Sequence, residues 1–149
     1  MFKKLFALIT ILSFSNIALA ADGVINVASQ HSVSQTADKL EKVLKSKGMK
    51  VFQRIKHSDG AKSVGVALNP TELIIFGNPK VGSPLMKCAQ TVAIDLPQKA
   101  LIWQDDQQKV WISYNNPSHL KARHNIQGCD KVLNKVTGAL AKMTAAAAK

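Results

Sequence analysis

Three of the four histidines, both cysteines and a set of polar residues at element ends are the side chains here that stand out as able to do chemistry. His57, His119 and His124 can each act as acid, base or metal ligand near neutral pH. His119 and His124 are five apart, so a continuous helix would put them on different faces. Adding Cys88 or Cys129 gives a zinc or copper donor set by residue type. No CxxC pair and no HExxH occurs, so neither metal nor cofactor is expected. His57 at a strand end and Arg123-His124 at a helix end also have plain uses, capping backbone groups and complementing a helix dipole. Cys88, near a helix start, could be a reactive thiolate, but a bond to Cys129 would silence it. No GxSxG elbow is present.

Other residues point to binding. Gly77-Asn78-Pro79 leaves an apolar run, and Gly82-Ser83-Pro84 leads into helical spacing. Ser83-Pro84 reads as N-cap and first helical residue, and a helix N-terminus suits an anion. Glycine, asparagine, proline and serine are also what any strand-to-helix turn uses. Asp95 sits at a helix end, unfavourable beside the dipole, which suggests a specific partner such as a backbone N–H, Arg123 or a ligand. Tyr114 and Asn115 lie at the C-terminal end of a strand, where α/β sheets commonly place ligand contacts. Asn116 reads as a plain N-cap. Trp103 and Trp111 sit on adjacent strands as packing residues or an apolar wall.

The elements that must position these residues follow from periodicity. Gly23–Gln30 reads as a strand. Ser32 opens a helix with a Ser32/Gln35 capping box, the apolar face Val33, Ala37, Leu40, Leu44, and the pairs Asp38/Lys42 and Glu41/Lys45. Gly48 ends it. Met49–Lys56 is a strand, and Asp59–Ala67 a short helix broken by Asn69-Pro70. Thr71–Phe76, with Leu73-Ile74-Ile75-Phe76, reads as a strand covered on both faces. A helix from Pro84 to about Asp95 precedes a hairpin of Lys99–Gln104 and Lys109–Tyr114. Asn116-Pro117 starts another short helix. Gly128 separates it from a last one, 129–147, whose stripe is Val132, Leu133, Val136, Leu140 and Met143, with an alanine-rich end expected to fray. The order β-α-β-α-β-α-β-β-α-α predicts an α/β (α+β) single domain, a mixed sheet of about five strands with helices packed on it.

Bulk properties place the chain. Lys3 and Lys4, the apolar run Leu5–Phe14 and Ala18-Leu19-Ala20 have the order of a secretory signal peptide, residues 1–20, cleaved near Ala20-Ala21. The run is short for a membrane anchor, which needs about 20 apolar residues. Residues 21–149 then form one domain, expected to be soluble, exported, and periplasmic or secreted. The formal charge of +11 becomes +9 when Lys3 and Lys4 leave. Nucleic acid is not an expected partner in that compartment. Contact with anionic envelope components is at most peripheral, since much of the lysine lies on helix faces that it keeps solvated. Two cysteines in an oxidising compartment favour a Cys88–Cys129 disulfide over two thiols or a metal site.

From about Ser32 to Ile126 the chain resembles domain-of-unknown-function family 302. The matching stretches are Phe76-Gly77-Asn78-Pro79 with Gly82-Ser83-Pro84-Leu85-Met86, then Asp95-Leu96-Pro97, then Val110–Pro117 running on through Leu120 to Arg123-His124. Gly48 and His57 also fall where the family places Gly and His. Ser83 stands where Thr is usual and Asn116 where Asp is common. Both keep a capping side chain, and the second removes a carboxylate. The resemblance implies a compact α/β domain and no particular reaction.

Together these readings favour a non-enzymatic binding module of the cell envelope for a small polar or anionic ligand. Its expected site is His57, Gly77, Asn78, Gly82, Ser83, Asp95, Tyr114, Asn115, Arg123 and His124. The alternatives are a hydrolytic or redox enzyme using His57 or His124 with Asp95, or Cys88, and an envelope interaction or assembly protein.

Overall fold

Alternating apolar residues on adjacent strands meet across one sheet face, and two amphipathic helices close over it. The computed structural model describes residues 21–149; the leader read at 1–20 lies outside them. The strands are β1 (Val24–Ser29), β2 (Lys50–Lys56), β3 (Thr71–Gly77), β4 (Gln98–Gln104) and β5 (Val110–Asn115). The helices are α1 (Val33–Ser46), α2 (His57–Ser63), α3 (Pro79–Cys88), α4 (Pro117–Arg123) and α5 (Asp130–Ala148), with a 3-10 helix at Gln90–Ile94. The domain is α+β, and its sheet order is β1-β5-β4-β3-β2.

Every pairing is antiparallel. Ile74 and Phe76 of β3, Ala100 and Ile102 of β4, and Ile112 and Tyr114 of β5 alternate onto one face. There they pack with Leu40 and Leu44 of α1 and Leu133, Val136, Leu140 and Met143 of α5. The Leu73–Phe76 run is therefore covered fully on one face only, with burial alternating along β3. A two-sided cover belongs to parallel sheets with helices on both faces. On the opposite face Trp103 and Trp111 stand opposite each other. Trp103 donates its indole N–H to Ser113 Oγ (2.7 Å), which donates to Asn26 Oδ1 (2.7 Å); Trp111 donates to Asp105 Oδ2 (2.7 Å).

The capping box forms at Ser32 and Gln35, and Gly48 (φ +72°) carries the chain out of α1 in the left-handed region. Glu41 pairs with Lys45 at 2.6 Å. Asp38 instead reaches Arg54 of β2 (2.7 Å), which also holds Glu41 (2.9 Å) and the buried Glu72 (2.5 Å). This four-residue network fastens α1 to β2 and β3. Helix α2 starts two residues before the expected Asp59.

Two further expectations are corrected. Ser83-Pro84 does not open a helix: α3 starts five residues earlier, capped by Asn78 with Pro79 first. Asn-Pro satisfies the same N-cap rule, and the Asn78 side chain accepts from Lys80 N while donating to Gly48 O, both at 2.9 Å. Ser83 and Pro84 lie inside α3, which stops at Cys88 because Ala89 is extended; the rest of the expected long helix is the 3-10 turn. The alanine-rich end does not fray either. Ala147 and Ala148 are buried, and Gln30 N donates to Ala148 O at 2.9 Å. Cys88 and Cys129 form a disulfide that ties the end of α3 to the start of α5. Its loop, with a sequence separation of 41, contributes about 4 kcal/mol in the chain-entropy treatment.

Candidate functional site

The strand order decides which of the expected site residues can meet. Gly77, Gln98 and Asn115 lie at one end of the sheet, whereas Lys56, Thr71 and Gln104 lie at the other. Seven-residue strands separate those ends by roughly 20 Å. His57 follows Lys56, so it stands exposed at the far end from Gly77, Asn78 and Asn115 and joins none of them. Tyr114 does not face a ligand: it is 4 % exposed, turned into the core beneath α5. Burial raises its phenol above the usual range, with the Thr144 hydroxyl pulling the other way. Asn115 sits half-buried at the end of β5, where Asn116 caps α4 by accepting from Ser118 N at 3.0 Å.

The remaining residues fall into two groups. Gly77, Asn78, Gly82 and Ser83 line a groove of about 1090 Å³ between α3 and α5. Its floor comes from Phe76, Leu85, Val136, Leu140 and Met143, all buried. Met49, Val81, Met86, Leu96 and Ala139 form the walls. Methionine side chains adapt to varied apolar shapes. Lys47, Lys80, Lys135 and Lys142 stand exposed around the groove, and no Asp or Glu is among its lining residues. An apolar trough with only cationic charge at its margin suits a ligand with an apolar body and a negative end. Residue order offered one usable signal for it: Lys135 and Lys142 are seven apart on α5, two turns on the same side, beside the small residues Gly138 and Ala139.

Asp95, Arg123 and His124 form the second group. Asp95 ends the 3-10 helix and His124 ends α4. His124 Nε2 lies 2.5 Å from Asp95 Oδ2, and Arg123 Nη1 lies 3.3 Å from Asp95 Oδ1. The imidazole is 6 % exposed and the carboxylate 12 %. Sequence reasoning missed the fourth member, Thr91, whose hydroxyl lies 3.1 Å from His124 Nδ1. Thr91 and Asp95 are four apart, one helical turn, which was the available signal. His119 stands apart from this cluster, packed so closely over Gly23 (φ +73°) that a Cβ there would lie 2.4 Å from its ring. Among the described residues no three His, Cys, Asp or Glu side chains gather as a metal site, and no helix is long and apolar enough to cross a membrane.

With this geometry in place, comparison adds family and fold. Residues 25–143 match the model of the family described as "Domain of unknown function DUF302". A fluoride-specific ion channel FluC 1 of Brucella suis is 47 % identical over 104 residues, 70 % of this chain and 41 % of that protein. FluC 1 of Brucella abortus is likewise 47 % identical over 104 residues, covering 38 % of its own length. The chain thus spans about two fifths of the curated relatives it matches. A crystal structure of an uncharacterized conserved protein DUF302 from Bacillus stearothermophilus superposes with a TM-score of 0.77 at 19 % identity. It covers 85 % of this chain and 99 % of that one, a likeness of fold. The chain belongs to the DUF302 family.

Proposed function

We propose that this protein is an exported binding module of the cell envelope whose ligand is an amphipathic anion, a molecule with an apolar chain and a carboxylate or phosphate head. The groove between α3 and α5 carries the reading: its floor and walls are apolar, and the charges around it are four lysines with no carboxylate among the lining residues. The chain of the ligand leaves water along Leu85, Val136 and Met143, and its head meets the ammonium groups. Export rests on the leader at 1–20. The Cys88–Cys129 bond fits an oxidising compartment.

A second reading draws on the relatives, which are fluoride-specific ion channels by name: the domain would handle fluoride itself. A trough this large and apolar suits a fluoride ion poorly, while a ligand of the bilayer suits a domain that shares a chain with a channel. Displacement of a fluorescent fatty acid separates the two. Dodecanoate should displace the probe from the oxidised protein and sodium fluoride should not. Ala139→Trp, which fills the groove wall, should lower probe affinity at least tenfold with the melting temperature held. Fluoride competing while dodecanoate does not would replace the first reading with the second.

A further inference from the structure

The Thr91–His124–Asp95 row lies outside the groove lining and has the parts of an acyl-transfer site. A carboxylate oxygen only accepts, so Asp95 Oδ2 at 2.5 Å holds a proton on Nε2 of His124, and the neutral ring facing it is the Nε2–H tautomer. Nδ1 is then an acceptor, and the Thr91 hydroxyl at 3.1 Å donates to it. Arg123 sets its guanidinium against the other oxygen of Asp95 and holds that carboxylate in place. Exposure differs along the row in the sense that catalysis needs. His124 and Asp95 are shielded, while Thr91 is exposed on the 3-10 helix and reachable by a substrate. Nucleophile, base and orienting carboxylate in hydrogen-bonded order define an activated hydroxyl.

We propose that Thr91 is the nucleophile of an esterase site acting on small carboxylic esters. Thr91 Oγ1 attacks the ester carbonyl carbon and forms the new O–C bond as its proton passes to His124 Nδ1. The bond from that carbon to the alcohol oxygen breaks, and the alcohol leaves with the proton from Nδ1. Water gives a proton to the same nitrogen and attacks the acyl-Thr91 ester. The carboxylic acid departs, and the proton returns to the threonine oxygen. Thr91 and His124 are the catalytic residues, and Asp95 is a positioning residue that acts through the imidazole.

The test uses p-nitrophenyl acetate turnover and labelling by a fluorophosphonate, with the modified residue located by mass spectrometry in the oxidised protein. The expected result is a single label on Thr91 and ester turnover that Thr91→Val lowers about a hundredfold, since an exposed position tolerates that change without loss of fold. Thr91→Ser should keep the label. Asp95→Asn should slow labelling, and Asp95→Glu should restore part of it, a recovery that a merely structural carboxylate would not produce. No label on Thr91, or turnover unchanged in Thr91→Val, would overturn the proposal whatever the groove binds.

Discussion

Lengthening the ligand one step at a time tests the groove most directly. Each methylene that moves from water into an apolar site contributes about 0.8 kcal/mol. Two methylenes therefore contribute about 1.6 kcal/mol, or roughly 15-fold in Kd. Ligand pockets usually run to roughly 300–1,000 Å³, and this groove, at about 1090 Å³, has room for a whole fatty acyl chain. The affinity of saturated carboxylates should rise steadily from about eight to about fourteen carbons and level off when the chain passes the end of the groove. The head behaves differently. Lys47, Lys80, Lys135 and Lys142 are exposed, and each such ion pair is worth about 0.2–1 kcal/mol. Replacing the carboxylate by a trimethylammonium should cost on the order of 1–2 kcal/mol, about 5- to 30-fold. Half-molar salt should shrink that difference while leaving the increment per methylene unchanged, because screening acts on exposed charge and not on apolar burial. Titration calorimetry reads both quantities, with a negative heat-capacity change marking the buried chain. Equal affinity for the eight- and fourteen-carbon acids, or for the cationic and anionic heads, would refute the assignment.

The remaining predictions concern the frame that holds the groove. Arg54→Leu leaves Glu72, 4 % exposed, without its 2.5 Å partner. Removing one member of a buried pair costs about 3–5 kcal/mol, and the partial exposure of Arg54 puts the loss near about 3 kcal/mol, a fall of about 10 °C by calorimetry. Arg54→Leu combined with Glu72→Leu should recover most of it, and a single variant melting within a degree or two of the parent would show that the network adds little. Glu41 is held below the usual carboxylate range by hydrogen bonds from Lys45 and Arg54, Asp105 by the Trp111 indole, and Asp130 by Lys121. A depressed folded value gives stability that is whole above the unfolded value near about 4 and lost as pH falls through the folded one. Tyr114, raised by burial, gives stability that is whole below about 10 and lost above it. The melting temperature should be level between about pH 5 and 9 and fall on both sides; a melting temperature that stays level or increases as the pH is lowered from about 5 to about 3 would contradict these assignments.

Local rules sufficed where one signal stood alone and failed where two competed. The Ser32/Gln35 box, the left-handed Gly48 and the Asp105–Gln108 hairpin turn each had one reading, and each formed. At α3 two N-cap pairs, Asn78-Pro79 and Ser83-Pro84, compete five residues apart. The choice rests on the bond from Asn78 to Gly48 O, thirty residues away in sequence, which no local pattern contains. The same limit explains the divided site. A strand end can be read from residue order, but which end of the sheet it occupies depends on the order β1-β5-β4-β3-β2. Sequence alone therefore placed His57 beside Asn115. The groove was harder still to foresee, because it belongs to neither helix alone. The lysines of α5 read correctly as a solvated face, yet docking against α3, tied by Cys88–Cys129, turns the margin of that face into the rim of an apolar trough. The Ala93–Pro97 stretch shows how closely the two groups of residues lie. Ala93, Leu96 and Pro97 line the trough, while Asp95, within the same five residues, bonds to His124. A substitution therefore separates the two proposals only where it alters a side chain used by one of them. Thr91 meets that condition for the ester chemistry, and Ala139, on the opposite wall, meets it for binding.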